Sequence, residues 1–77
     1  MKIIIAHVHE NLFNGEADEL SVPTTDGILT ILSNHEPLVA TLQTGTATVK
    51  KGGEVLKQIN VENGVLEISN NQATVLL

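Results

Sequence analysis

The chain has no cysteine, no arginine, no tryptophan and no tyrosine, and Phe13 is its only aromatic residue. Without cysteine there is neither a disulfide framework nor a thiolate metal site. Without arginine, the cations are Lys2, Lys50, Lys51 and Lys57, of which only two are adjacent. Nine carboxylates leave a formal net charge of -5. Nucleic acid binding needs clustered cations to neutralise phosphates, so nucleic acid and anionic lipid are set aside as partners. A single phenylalanine offers no stacking platform for bases or sugars. No run approaches the ~18 consecutive apolar residues of a membrane span, and Met1-Lys2 followed by three isoleucines turns polar too soon for a secretory leader. The expectation is a water-soluble chain on the cytoplasmic side, with no direct membrane insertion.

What the sequence does contain is turn punctuation. Asn14-Gly15, Asp26-Gly27, Lys51-Gly52-Gly53, Asn63-Gly64 and Asn70-Asn71 recur at short spacings. Such pairs supply the positive φ angles of tight turns. Between them lie short runs rich in valine, isoleucine and threonine, which suit a pleated surface. Several of these runs alternate. Ile3 and Ile5 share one side with His7, opposite Ile4, Ala6 and Val8. Leu20 and Val22 share a side, with Pro23 ending or edging that strand. Ala47 and Val49 alternate with threonines, and Val55, Ile59 and Val61 oppose Gln58 and Asn60. Leu66 and Ile68 oppose Val65 and Glu67, and Ala73, Val75 and Leu77 close the chain. No segment has a helical period of useful length. The pattern predicts one domain over residues 1–77, all-β, an antiparallel β-sandwich or flattened barrel of about ten short strands. At 77 residues the chain hides only ~60–65% of its unfolded surface, so the core is thin.

Two stretches are greasier than one buried strand face requires. In residues 27–32, Ile28, Leu29, Ile31 and Leu32 are apolar on both sides, and residues 37–42 contain Leu38, Val39, Ala40 and Leu42. Such runs are either buried on both faces or present an apolar side to a partner.

Candidate chemistry is sparse. His7-Val8-His9 would direct two imidazoles to one face of a strand, with Glu10 or His35 as a third ligand. Without a second motif, solvent-facing or packed histidines are the simpler reading. Ser21, Ser33 and Ser69 lack a nucleophile elbow. Gly52-Gly53 is followed by Glu54 with no helix start behind it, so it is not a phosphate loop. Lys50-Lys51 beside a Gly-Gly turn suggests a biotinyl or lipoyl carrier tip, but the flanking residues of such tips are missing. No catalytic residue, metal or cofactor is assigned.

In order along the chain come Leu12-Phe13-Asn14-Gly15-Glu16-Ala17-Asp18, Val22-Pro23-Thr24-Thr25-Asp26-Gly27 and Ile31-Leu32-Ser33-Asn34-His35-Glu36-Pro37-Leu38-Val39. Gly52-Gly53-Glu54, Asn63-Gly64-Val65-Leu66-Glu67-Ile68 and Ala73-Thr74-Val75-Leu76 follow. This series resembles the N-terminal β-sandwich domain of the rotary ATP synthase epsilon subunit. The resemblance implies a non-catalytic rotor subunit at the foot of the central stalk, peripheral to the cytoplasmic face of the membrane, coupling ion flow to ATP synthesis. It implies contact with the gamma subunit through His7, Asn34, His35, Pro37, Leu38, Val39 and Ala40. It further implies a loop of Asp26, Gly27, Ile28 and Leu29 facing the polar loops of the c-ring. The chain departs from the family pattern at Ile28, often acidic, and at Thr30, Ser33, Glu36 and Asn63. It stops at Leu77, before the helical hairpin usual in the family, which fits a short member or an excised domain alike. The competing reading is a free-standing β-sandwich that binds a metal or small molecule around His7, His9 and His35.

Overall fold

The computed structural model describes residues 1–77. It contains nine strands and no helix: β1 (Lys2–His7), β2 (Glu10–Glu16), β3 (Glu19–Thr24), β4 (Gly27–Leu32), β5 (Leu38–Leu42), β6 (Gly45–Lys51), β7 (Glu54–Val61), β8 (Gly64–Ser69) and β9 (Gln72–Leu76). The all-β prediction holds with nine strands rather than about ten. The pairing is not wholly antiparallel either, because β1 runs parallel to β9.

The strands form one continuous path, β2-β1-β9-β8-β5-β3-β6-β7, with β4 paired to the other edge of β3. The path changes layer where β5 meets β3, which share the single pair Thr24↔Leu42. One layer is therefore β2-β1-β9-β8-β5 and the other β4-β3-β6-β7. Alternation drives one face of each layer inward. Ile3, Ile5, Leu66, Ile68, Ala73 and Val75 come from the first layer, and Leu20, Val22, Ile31, Ala47, Val49 and Val61 from the second. Ten of the aliphatic side chains in this core are essentially inaccessible, so the packing is close although the domain is small.

Pro23 neither ends nor edges its strand. It pairs with Ile28 on one side, and its carbonyl accepts from Gln43 N–H at 2.9 Å on the other. Its missing N–H falls where the neighbour of β3 changes from β6 to β5, so no ladder bond is lost.

The turn predictions were right at Gly52-Gly53 (φ 59° and 80°) and Asn70-Asn71 (φ 51° and 57°). Asn14-Gly15 is not a turn: both residues lie within β2, paired to Ile4 and Ile3. The tight turn instead falls at Val8-His9, with Val8 at φ 54°. A β-branched residue in the left-handed region is rare, and this is why the sequence concealed it.

Candidate functional site

The two apolar stretches flagged in the sequence converge. Residues 24–29 and 38–41 line one open hollow of about 460 Å³ between the β3–β4 turn and β5. The turn is held by the Thr24 hydroxyl, which donates to the Gly27 carbonyl at 2.6 Å and accepts from Asp26 N–H at 3.2 Å. Thr25 N–H ties the turn to β5 through the Thr41 carbonyl at 3.1 Å. Around this hollow Ile28 is 81% exposed and Val39 67% exposed, while Leu29, Leu38 and Ala40 lean on the core. Leu42 is buried. The stretch 38–42 is thus half core and half surface, with Val39 rather than Ala40 as its outward residue.

Asn34, His35 and Pro37 lie in the β4–β5 loop. Asn34 takes φ 64° and donates its N–H to Asn71 Oδ1 at 2.6 Å, and His35 Nδ1 lies 2.7 Å from the Glu36 carbonyl. Asn71 also accepts from Lys2 N–H through its carbonyl, so this loop sits beside the start of β1. His7 is at the opposite end of β1, about 17 Å away at ~3.3 Å per residue. There it joins Leu12, Asn60, Glu62, Asn63 and Leu77 around a separate hollow of about 370 Å³. His7 and the loop histidine therefore do not form one cluster. Val8 turns out of the strand, so the same-face argument for His7 and His9 fails, and no three His, Asp or Glu side chains converge as a metal site would need.

The sequence reading missed the outer face of the first layer. Cross-strand pairing sets Thr41, Val65, Leu76 and Ala6 in one row and Val39, Glu67, Thr74 and Ile4 in the next. Val65, Leu76 and Val39 are exposed and Ile4 and Ala6 half-buried. A sheet face turned to water is normally polar, and these two rows carry five aliphatic side chains against a single charge, Glu67. The signal was present: these strands have apolar residues at both parities, although one parity already fills the core.

The sequence profile of the ATP synthase delta/epsilon chain β-sandwich domain matches residues 1–77. The chain is 48% identical over 65 residues to the ATP synthase epsilon chain of Leptospira borgpetersenii, covering 84% of this chain and 50% of that one. It is 42% identical over 76 residues to the epsilon chain of Leptospira interrogans, covering 99% and 59% respectively. The fold is shared with a chain of the Euglena gracilis mitochondrial ATP synthase OSCP/F1/c-ring assembly, at a TM-score of 0.86 and 19% identity, over 96% of this chain and 48% of that one. A chain of the Tetrahymena thermophila mitochondrial ATP synthase central stalk/c-ring structure gives a TM-score of 0.80 at 12% identity, over 97% and 60%. The chain thus spans between half and three-fifths of the length of these epsilon chains. On the whole-length profile match and these identities, the chain belongs to the ATP synthase delta/epsilon chain family, as its β-sandwich domain.

Proposed function

We propose that this domain is a rotor module of an ion-translocating ATP synthase. It docks on the gamma subunit, faces the polar loops of the c-ring, and couples ion flow to ATP synthesis without catalysing a step itself. It would work as a peripheral part of the membrane complex, on the cytoplasmic face. The observation that carries docking is the aliphatic outer face of Ile4, Ala6, Val39, Val65 and Leu76, continuous at Val39 with residues 34–40. An apolar surface of this kind, rimmed here by Lys2, Glu16 and Gln72, is the usual mark of a protein partner. The turn of Asp26, Gly27, Ile28 and Leu29 is the proposed c-ring contact, with an aliphatic tip at Ile28 where the family often places an acid. His7, at the far end of β1, would belong to the gamma contact only if gamma spans the length of that strand.

Co-expression with a cognate gamma subunit, followed by size-exclusion chromatography, tests the reading. Co-elution is expected for the parent chain and for a Thr48→Lys variant on the opposite layer. Val39→Glu should lose gamma while keeping its thermal midpoint. Ala40→Glu is a poorer probe, because Ala40 packs on the core. A parent chain that elutes alone, or a Val39→Glu chain that binds as well as the parent, overturns it.

A further inference from the structure

A sandwich that does not close leaves strand edges, and edges invite pairing with other chains unless charge, proline, shortness or a bulge blunts them. Three edges here are blunted. β2 carries Glu10 and Glu16 at its ends and a register irregularity opposite Ile5 and Ala6. β7 carries Glu54 and Lys57. β5 is five residues long, follows Pro37, and is tied at Thr41 to the β3–β4 turn. β4 has none of these devices. It reads Gly-Ile-Leu-Thr-Ile-Leu, with no charge and no proline, in a chain of net charge -5. Its only partner is β3.

The direction of the free groups follows from the ladder. The Pro23 carbonyl points away from β4, toward Gln43, so Pro23↔Ile28 is a non-hydrogen-bonded pair. Alternation then turns the main-chain N–H and C=O of Ile28, Thr30 and Leu32 outward, and no other backbone group takes them up. On the outer face Ile28 and Leu32 are exposed at 81% and 57%, with Thr30 between them.

We propose that the unassembled chain forms a twofold dimer through antiparallel β4–β4 pairing. With Thr30 on the axis, Ile28 of each copy meets Leu32 of the other and Thr30 meets Thr30. All three pairs then fall at positions whose main-chain groups are free, so each exchanges two hydrogen bonds. The side-chain pairs are aliphatic with aliphatic and hydroxyl with hydroxyl, both favourable across strands. The paired stretch of each copy carries no charged side chain. No like charges meet along the strand. A contact this small belongs to the weak, transient class, and a twofold closes it at two copies. The dimer covers Ile28, so it competes with the c-ring contact and acts as a holding form that shields the edge before assembly. That consequence rests on the proposed function; the dimer itself does not.

Sedimentation velocity on the chain alone, from micromolar to millimolar concentration, tests the pairing without any partner. The weight-average mass should rise from 8.2 kDa toward twice that value and stop. Amide exchange followed by NMR should slow at Ile28, Thr30 and Leu32 as concentration rises, while Leu29 and Ile31, already bonded to β3, should not change. Thr30→Lys and Ile28→Lys, both at exposed positions and checked for an unchanged dichroism spectrum, should remain monomeric throughout. Val65→Lys, on the other layer, should dimerise like the parent. A parent that stays monomeric at millimolar concentration, grows beyond two copies, or dimerises undisturbed by Thr30→Lys overturns the proposal, as does loss of the dimer in Val65→Lys.

Discussion

The two layers present opposite outer faces to water. Across β4-β3-β6-β7 runs a row of Thr30, Ser21, Thr48 and Gln58, joined by hydrogen bonds between Ser21 and Thr30 at 3.1 Å and between Gln58 and Thr48 at 3.5 Å. Thr46 and Asn60 extend it. Across β8-β9-β1 runs Val65, Leu76 and Ala6. Both faces have the same period and lie over the same core, so the pleat does not explain the difference. Hydroxyls and amides keep their water when nothing docks, whereas aliphatic side chains gain about 25 cal/mol for each Å² covered. The contrast fits the proposed docking through the first layer, while the second exposes aliphatic side chains only at its margins, Ile28 and Leu32 on β4 and Val55 and Leu56 on β7.

The largest effect expected tests whether inner and outer positions differ as sharply as the layers imply. Leu66 and Val65 are neighbours on β8, one inaccessible and the other 43% exposed. Leu66→Ala should cost about 2–5 kcal/mol, enough to unfold a marginal domain, while Val65→Ala should stay within about 0.5 kcal/mol. Urea denaturation of both variants measures the gap, and equal losses would mean that the outer face is part of the core.

The junction of the layers comes next. A Cβ on Gly45 would stand 2.6 Å from Cβ of Pro23 and 2.8 Å from its Cγ, whereas one on Gly15 meets nothing nearer than the Phe13 ring at 3.5 Å. The proline ring cannot swing aside. Gly45→Ala should lose about 1–3 kcal/mol and Gly15→Ala much less, as read from thermal midpoints. Equal midpoints would show that the seam yields.

The outer faces themselves are compared by charge. Leu76→Lys should weaken a gamma pull-down at least about tenfold, the loss of roughly 1.4 kcal/mol, and Thr48→Lys should leave it unchanged. If Thr48→Lys were the damaging variant, the assignment of faces would be reversed.

The smallest effect is a gain. Val8 holds φ 54° at 77% exposure, a strained backbone with little packing in return. Val8→Gly or Val8→Asn should raise stability by about 0.5–1 kcal/mol, part of the ~1–3 kcal/mol that such conformations cost. A lower midpoint in both would show that Val8 is held by contacts rather than tolerated.

Much was legible before any fold was known. Inward alternation at Leu20 and Val22, Ala47 and Val49, Leu66 and Ile68, and Ala73 and Val75 was readable because side-chain period in a strand is two and a thin core leaves no second buried layer. The positive-φ turns at Gly52-Gly53 and Asn70-Asn71 were readable because few residues adopt that conformation. The same rule misled at Asn14-Gly15, since a pair that permits a turn does not compel one, and at Val8, where pairing of β1 with β2 forces the turn onto a poorly suited residue. Of the candidate site, the sequence marked residues 27–32 and 37–42 as too apolar but could not say which side of each faced water.

Sequence alone, then, determined the all-β class, the inward face of β3, β6, β8 and β9, and the family. Those depend on local period and on motif order along the chain. Only the tertiary structure decided that β1 pairs parallel with β9, that Asn34 and His7 stand at opposite ends of β1, that residues 24–29 and 38–41 line one hollow, and that β4 is the edge left unguarded. Each of these depends on which strand lies beside which, and pairing between distant segments is fixed by the packing of the whole sandwich rather than by any residue's own preference.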